Sequence, residues 1–365
     1  MGARVMQALD DANYWRRLCP ELTVTPDRNA EGLEELAPPF EFTEERARAF
    51  RQAMDGDGIV ALTREDLPWA IDVSALARGV EALKAAGWPP TFLLAYDEPW
   101  IMAFQLSSLT RQLMGLDVTF DWLTFHVPPG KKGFPPHRDN NYGATAPSLT
   151  PGQVSVETAS GFREEAGPLN GMPQYATCWV ALVDVPPTSS CLMCVPRRFD
   201  DGYLASGLEG STNPVSDAEA LCHVRPLPLQ AGGAAVFSHR LYHWSRSGDP
   251  LDAHGLPAPP RIALSISAAD DSYEKPCLPR GILPFPLLRL RVSLAAGQMF
   301  TYLKQPLGHY CDDETVQLMW QCFLASHSCF DSDYVSFAWQ KYEHTHFKAH
   351  HRPEEFAPEP RSCSF

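Results

Sequence analysis

Between about residue 118 and residue 270, the chain consists of short apolar runs that Gly, Pro, Asp and Ser interrupt every few residues. The runs are rich in β-branched and aromatic residues: VTFDWLTFHV, YATCWVALVDV, CLMCVP, EALCHVRPLPL, AAVFSHRLYHW and RIALSISAA. The chain has 34 prolines, about twice the usual share, and proline interrupts helices and central strands. Many short strands at this spacing are typical of a β-sandwich or barrel. We therefore expect a β-rich core here.

Helical patterns lie on both sides of this β-rich segment. FTEERARAFRQAM (42–54) begins with Thr and an early Glu, and its Ala, Phe and Met recur at helical spacing. A short strand in DGDGIVALT follows, and DVSALARGVEALKAAG (72–87) predicts a second helix that ends at Gly87. Helical patterns return after about residue 284. Neither an internal repeat nor a long linker divides the sequence.

Composition narrows the class of protein. The chain of 365 residues is 44% apolar and 20% charged, as in an ordinary globular protein, and its net charge is −14. That charge argues against duplex nucleic acid or an anionic membrane as the main partner. No apolar run approaches the roughly 18 residues of a membrane helix, and the N-terminal residues do not resemble a signal peptide. We expect a cytoplasmic protein with a small-molecule substrate, and the sequence does not predict an oligomeric state.

The stretch GFPPHRDNNYG (133–143) contains a histidine and an aspartate two positions apart, His137 and Asp139. In a strand, such residues point to the same side. They form either an exposed polar pair or two ligands of a facial metal triad, which needs a further histidine. The downstream candidates are His223, His239, His243 and His254. Arg261 opens the strand RIALSIS, where a guanidinium can hold a carboxylate bidentately.

Five motifs in this order resemble the phytanoyl-CoA dioxygenase family of iron(II)/2-oxoglutarate oxygenases, over roughly residues 42–270. They are FTEERARAFRQAMDGDGIVAL, FHVPPGKKGFPPHRD, CWVALVDVPPTSSCLMCVP, GGAAVFSHRLYHWS and RIALSIS. The resemblance implies an α+β, mainly β fold: a double-stranded β-helix (jelly-roll, cupin-like) core with flanking N- and C-terminal helices. We expect a single domain over residues 1–365, in which a helical extension (284–365) packs on an oxygenase core (42–270).

The resemblance also implies a set of site residues. His137 and Asp139 correspond to two iron ligands, and His243 to the third, because His243-Trp244-Ser245 fits the family pattern His-x-Ser. His239 has Leu at that place and does not fit. The residues that correspond to the 2-oxoglutarate site are Arg261, Ser245 and Trp179. The implied cofactors are Fe(II), 2-oxoglutarate as cosubstrate and O2.

The substrate pocket is predicted less directly. Its candidates are His126, Arg138, Asn140, Asn141 and His239. His126 also fits a satisfied core histidine, and His239 a polar strand residue near the site. The long loop 143–172 departs from the family pattern, and both an active-site lid and a surface insertion are compatible with its composition.

The resemblance implies a dioxygenase that oxidises a C–H bond of a small organic substrate, with decarboxylation of 2-oxoglutarate to succinate and CO2. Related halogenases carry Ala or Gly in place of Asp139, so the intact carboxylate favours hydroxylation, desaturation or ring closure. The alternative is a β-core protein that binds a metal or ligand without catalysis or redox chemistry.

Overall fold

In a computed structural model, the chain forms two antiparallel sheets flanked by helices. The structure describes residues 2–26, 37–139, 161–164, 167–204, 214, 218–280, 286–302 and 313–346. The strands are β1 (Ile59–Leu62), β2 (Asp117–Val127), β3 (Tyr175–Ala181), β4 (Leu192–Val195), β5 (Arg225–Leu227), β6 (Ala234–Ser238), β7 (Tyr242–Ser245) and β8 (Arg261–Ala269). One sheet has the order β1-β6-β3-β8-β2, and the other has the order β5-β4-β7.

Helices come mainly from the two ends of the chain. They are α1 (Gly2–Asp10), α2 (Ala12–Leu18), α3 (Glu44–Asp57), α4 (Val73–Ala85), α5 (Glu98–Met114), α6 (Ala218–Cys222), α7 (Leu288–Thr301), α8 (Asp313–Leu324) and α9 (Ser332–His346). Short 3₁₀ turns span Pro90–Ala95, Arg197–Phe199 and His327–Cys329. No helix in the described part of the chain is long and apolar enough to span a membrane.

Both predicted N-terminal helices form, but α3 continues to Asp57, three residues past the predicted end at Met54. The Thr43 hydroxyl accepts a hydrogen bond from the Arg46 amide at the start of α3, and Gly58 ends that helix at φ 74°. At the start of α4, the Asp72 side chain accepts a hydrogen bond from the Ser74 amide. Gly87 follows α4 at φ 76°, a left-handed conformation that only glycine adopts without strain.

One predicted strand is only partly correct. The run EALCHVRPLPL forms the helical turn α6 followed by β5, which spans Arg225–Leu227. Ala, Glu and Leu are good helix formers, and this local preference prevails in the first half of the run. The run AAVFSHRLYHW forms two strands, β6 and β7, with a turn between them.

Strand alternation makes the larger sheet the centre of the fold. Every residue of β3 is buried. Ala176, Cys178 and Val180 pack in the core that the helices share, whereas Trp179 and Ala181 pack in the core between the sheets. A strand covered on both faces is largely apolar, and this one is so apart from Thr177 and the Tyr175 hydroxyl. The predicted fold class, an α+β fold with an antiparallel β core and flanking helices, is confirmed, and the two sheets are consistent with the expected jelly-roll.

Candidate metal centre

Two histidines are brought side by side by backbone pairing between distant segments. The His137 amide donates to the His243 carbonyl (3.0 Å), and the His243 amide donates to the His137 carbonyl (2.9 Å). Their ring centroids lie 4.4 Å apart. Asp139 Oδ1 lies 3.3 Å from His137 Nε2 and 3.4 Å from His243 Nε2. One potential ligand atom from each residue lies within 4.8 Å of the others, so the three form a candidate metal triad.

Backbone carbonyls fix the orientation of both imidazoles. His137 Nδ1 lies 2.7 Å from the Pro135 carbonyl, and His243 Nδ1 lies 3.0 Å from the Leu241 carbonyl. Since a carbonyl only accepts, Nδ1 donates in each case and the Nε2 lone pair is directed toward Asp139. The Thr177 hydroxyl donates to the other carboxylate oxygen, Asp139 Oδ2. Such supporting contacts orient the ligands of metal sites.

The pKa shifts of Asp139 and His243 favour the forms that bind a cation. Burial works to raise the pKa of Asp139, but the adjacent imidazoles and the Thr177 hydroxyl outweigh it and hold this pKa below its usual range. Burial lowers the pKa of His243 to about 4 despite the nearby carboxylate. Burial also acts to lower the pKa of His137, but contact with Asp139 raises it overall. Two imidazoles and one carboxylate form the donor set of a facial triad, so the residues fit iron(II).

The triad opens into a cavity of about 440 Å³ between the two sheets. Arg261 lies in its wall and is only 3% exposed. Arg261 Nη1 donates to Ser245 Oγ (2.6 Å) and to the Ser190 carbonyl (2.9 Å). The guanidinium carbon lies 5.4 Å from the centre of the Trp179 ring. The structure therefore brings together the residues predicted for the 2-oxoglutarate carboxylate, in the same cavity as the triad.

Gly133 lies against this arginine and was not predicted as a site residue. A Cβ atom at Gly133 would lie 2.6 Å from Ser245 Oγ and 2.8 Å from Arg261 Nη2. Both distances are shorter than van der Waals contact, so this position has no room for a side chain. The available signal was a glycine just before the metal motif, in KKGFPPHRD.

The residues at the other end of the cavity were also not predicted from the sequence. Its wall includes Asp121, Tyr175, Ser267, Glu274, Thr301, Tyr302, Phe337 and Lys341. The Tyr302 hydroxyl donates to Asp121 Oδ1 (2.8 Å). The Tyr175 hydroxyl lies 2.6 Å from Ser267 Oγ and 3.2 Å from Asp121 Oδ2. The pairing of β2 with β8 is irregular between Val118 and Trp122, next to Asp121, and the sequence carries no clear signal for this irregularity.

Two candidates for the substrate pocket lie elsewhere. His126 is buried outside the described cavity wall, with its Nε2 atom 3.0 Å from Glu81 Oε1. Its strand neighbour Phe125 faces the cavity, and alternation turns His126 to the opposite face. His239 is also buried outside that wall, and its Nδ1 donates to the Tyr175 carbonyl (3.0 Å). Neither histidine lines the described cavity, which corrects their prediction as substrate-pocket residues and agrees with the stated alternatives, a core histidine and a polar residue near the site.

Arg138 lies in the cavity wall as predicted, but its guanidinium is held by other groups. Its nitrogens lie 2.6 and 3.0 Å from the two Asp200 carboxylate oxygens, and it also donates to the Arg240 carbonyl. Both side chains of this ion pair are almost fully buried. Asn140 and Asn141 lie outside the described residues, as does most of the predicted loop 143–172.

Comparisons with known proteins agree with this site. The family described as "Phytanoyl-CoA dioxygenase (PhyH)" matches residues 58–248, which include all three residues of the triad. No curated protein sequence matches the chain.

Similar solved structures show low sequence identity. One is the non-heme alpha ketoglutarate dependent epimerase SnoN from nogalamycin biosynthesis: 18% identity, 62% of this chain, 84% of that chain and TM-score 0.43. Another is AviO1 from Streptomyces viridochromogenes Tue57, with 17% identity over 64% of this chain and 98% of that chain and a TM-score of 0.41. A third is EctD from S. alaskensis, with 16% identity over 70% of this chain and 84% of that chain and a TM-score of 0.42. Because the family match covers more than half of the chain, this protein belongs to the phytanoyl-CoA dioxygenase family of Fe(II)/2-oxoglutarate-dependent oxygenases.

Proposed function

We propose that the chain is an Fe(II)/2-oxoglutarate-dependent dioxygenase that hydroxylates a C–H bond of a small organic substrate. The reaction consumes O2 and converts 2-oxoglutarate to succinate and CO2. The observation that carries this proposal is the convergence of His137, Asp139 and His243, with ligand atoms within 4.8 Å, in a cavity that also contains Arg261. Three protein ligands leave positions open on a six-coordinate iron for cosubstrate and oxygen.

The protein holds the ligand set in position. His137 and His243 would bind iron through Nε2, because the carbonyls of Pro135 and Leu241 engage both Nδ1 atoms. Asp139 would bind through Oδ1 while the Thr177 hydroxyl holds Oδ2. A bound iron supplies the oxidative decarboxylation of 2-oxoglutarate that is coupled to C–H oxidation. Asp139 itself supports hydroxylation over halogenation, because halogenases of this type carry Ala or Gly at the corresponding position.

The spacing along β7 supports the assignment of 2-oxoglutarate. His243 and Ser245 are two residues apart on this strand, which corresponds to about 7 Å. A five-carbon diacid fits that distance, with its keto-acid end at the metal and its distal carboxylate at Arg261 and Ser245. Trp179 and Phe125 cover the guanidinium, at 5.4 and 5.8 Å. Their rings would exclude water and strengthen the charged hydrogen bonds.

Anaerobic spectroscopy tests the assembled site. Fe(II) and 2-oxoglutarate together should give a weak visible charge-transfer band, and air should then produce succinate. His243→Ala should abolish the band and succinate release. The matched control is His254→Ala, which changes an exposed histidine and should preserve both. Metal binding without the band or succinate would support the alternative, a redox-silent metal-binding protein.

A further inference from the structure

The cavity is longer than 2-oxoglutarate requires. Arg261, Ser265 and Ser267 all line it from one face of β8. Six residues of strand separate Arg261 from Ser267, which corresponds to about 20 Å. The triad lies level with Ser267, because Ser267 pairs with Thr177 and the Thr177 hydroxyl donates to Asp139, so the proposed cosubstrate extends from there toward Arg261. The wall on the side of the triad away from Arg261, which includes Asp121, Glu274 and Tyr302, is therefore left for the substrate.

We call this the acidic end of the cavity and define it by Asp121, Tyr175, Ser267, Glu274, Tyr302 and Phe337. Glu274, Tyr302 and Phe337 all follow residue 248, where the family match ends. Tyr302 comes directly after α7, and Phe337 belongs to α9. Segments outside the matched region therefore build much of this wall.

Two carboxyl groups, Asp121 and Glu274, give this end a negative charge when they are ionised. Asp121 accepts hydrogen bonds from the hydroxyls of Tyr302 (2.8 Å) and Tyr175 (3.2 Å). A carboxylate has about four acceptor sites, so Asp121 has capacity for further donors. Burial raises the pKa of Glu274 to about 8, and the charge of Asp121 adds to this effect while Arg280 opposes it. A bound cation would relieve this repulsion and favour the ionised form of Glu274.

The cationic groups of the wall do not offset this charge. Arg138 is paired with Asp200, and Arg261 lies at the cosubstrate end with Ser245. Lys341 adds one positive charge near the acidic end, with its Nζ 4.8 Å from the centre of the Phe337 ring. Once a bound cation favours the ionised form of Glu274, two carboxylates therefore outnumber the one ammonium of Lys341 in this region. The rings of Phe337 and Tyr302 also line this region, and aromatic faces attract cations.

We propose that the acidic end binds a protonated amine of the substrate, so that the enzyme oxidises small compounds that carry a basic nitrogen. Asp121 and Glu274 would accept hydrogen bonds from the ammonium group and hold the rest of the molecule toward the triad. This inference rests on the proposed function, since the proposed iron and cosubstrate sites define which end of the cavity remains for substrate.

The test compares three probes with one carbon skeleton: 3-phenylpropylamine, 3-phenylpropanol and 3-phenylpropionate. Calorimetry would measure their binding to the full chain, both metal-free and with Fe(II) and 2-oxoglutarate under anaerobic conditions. Because one charge-assisted hydrogen bond is worth roughly twice a neutral one, the amine should bind at least about tenfold more tightly than the alcohol. Glu274→Gln and Asp121→Asn should each remove most of this preference.

The control variant is Glu343→Gln, which changes an exposed carboxylate on α9 and should keep the full preference for the amine. Circular dichroism would establish that each variant is folded. Equal or tighter binding of the alcohol or the carboxylate overturns the proposal. So does a preference that survives in both cavity variants, or no binding by any of the three probes. An absent charge-transfer band would instead overturn the proposed iron and 2-oxoglutarate function.

Discussion

Replacing Arg261 with leucine tests how the cavity holds 2-oxoglutarate. The side chain is 3% exposed, so a carboxylate bound to it would be shielded from water. A charge-assisted hydrogen bond contributes about 1.5–3 kcal/mol. Since 1.4 kcal/mol is a factor of ten in affinity, Arg261→Leu should weaken 2-oxoglutarate binding by about 10- to 150-fold. The larger value applies if both N–H groups of the guanidinium fork bind the carboxylate.

Anaerobic titration of the charge-transfer band with 2-oxoglutarate measures this loss as a dissociation constant. Succinate release in air gives the matching KM. The control is Arg246→Leu, because Arg246 follows Ser245 in the chain, is partly exposed and pairs with Asp249. That variant should bind 2-oxoglutarate as tightly as the parent protein. Unchanged affinity in Arg261→Leu, or a larger loss in Arg246→Leu, would refute the assignment of the carboxylate to Arg261.

Three further predictions concern the metal centre and its surroundings. His243→Ala should abolish Fe(II) binding in equilibrium dialysis while His239→Ala retains most of it, and equal losses would contradict the proposed ligand set. Thr177→Val should weaken Fe(II) binding by about 10- to 100-fold, as losses of ligand-orienting contacts do, and an unchanged dissociation constant would count against the role of this hydroxyl. Gly133→Ala should raise the KM for 2-oxoglutarate at least several-fold with Fe(II) affinity preserved, because its Cβ would lie 2.8 Å from Arg261 Nη2; a normal KM would show that the loop adjusts.

Local signals were sufficient for the elements that they encode. The Thr43 cap and Gly58 fix both ends of α3 through contacts within one turn. The two-residue spacing of His137 and Asp139 likewise places both on one side of the chain, whatever surrounds them. The order of the five motifs then indicated the family, and with it His243 and Arg261. The single-domain organisation and its boundaries stay a prediction.

Helix α5 is an element that local sequence patterns do not predict. It was not predicted, and 11 of its 17 residues are buried. A helix that is covered on most of its circumference has no polar stripe, so its sequence lacks the amphipathic period that marks a surface helix. Its visible signals were Pro99 in the first turn and Gly115 after the end, and neither defines a helix without its packing partners.

The sequence by itself determined the β-rich class, the capped helices and the chemical type of the metal centre, because these follow from short-range spacing and residue chemistry. The tertiary structure decided which way His126 faces, since only the pairing of β2 with β8 assigns its strand faces. It also decided the composition of the acidic end, where Asp121, Glu274 and Tyr302 line one cavity. These residues are more than 25 positions apart along the chain. Contacts at such separations depend on how the sheets and helices pack, and no local pattern encodes that packing.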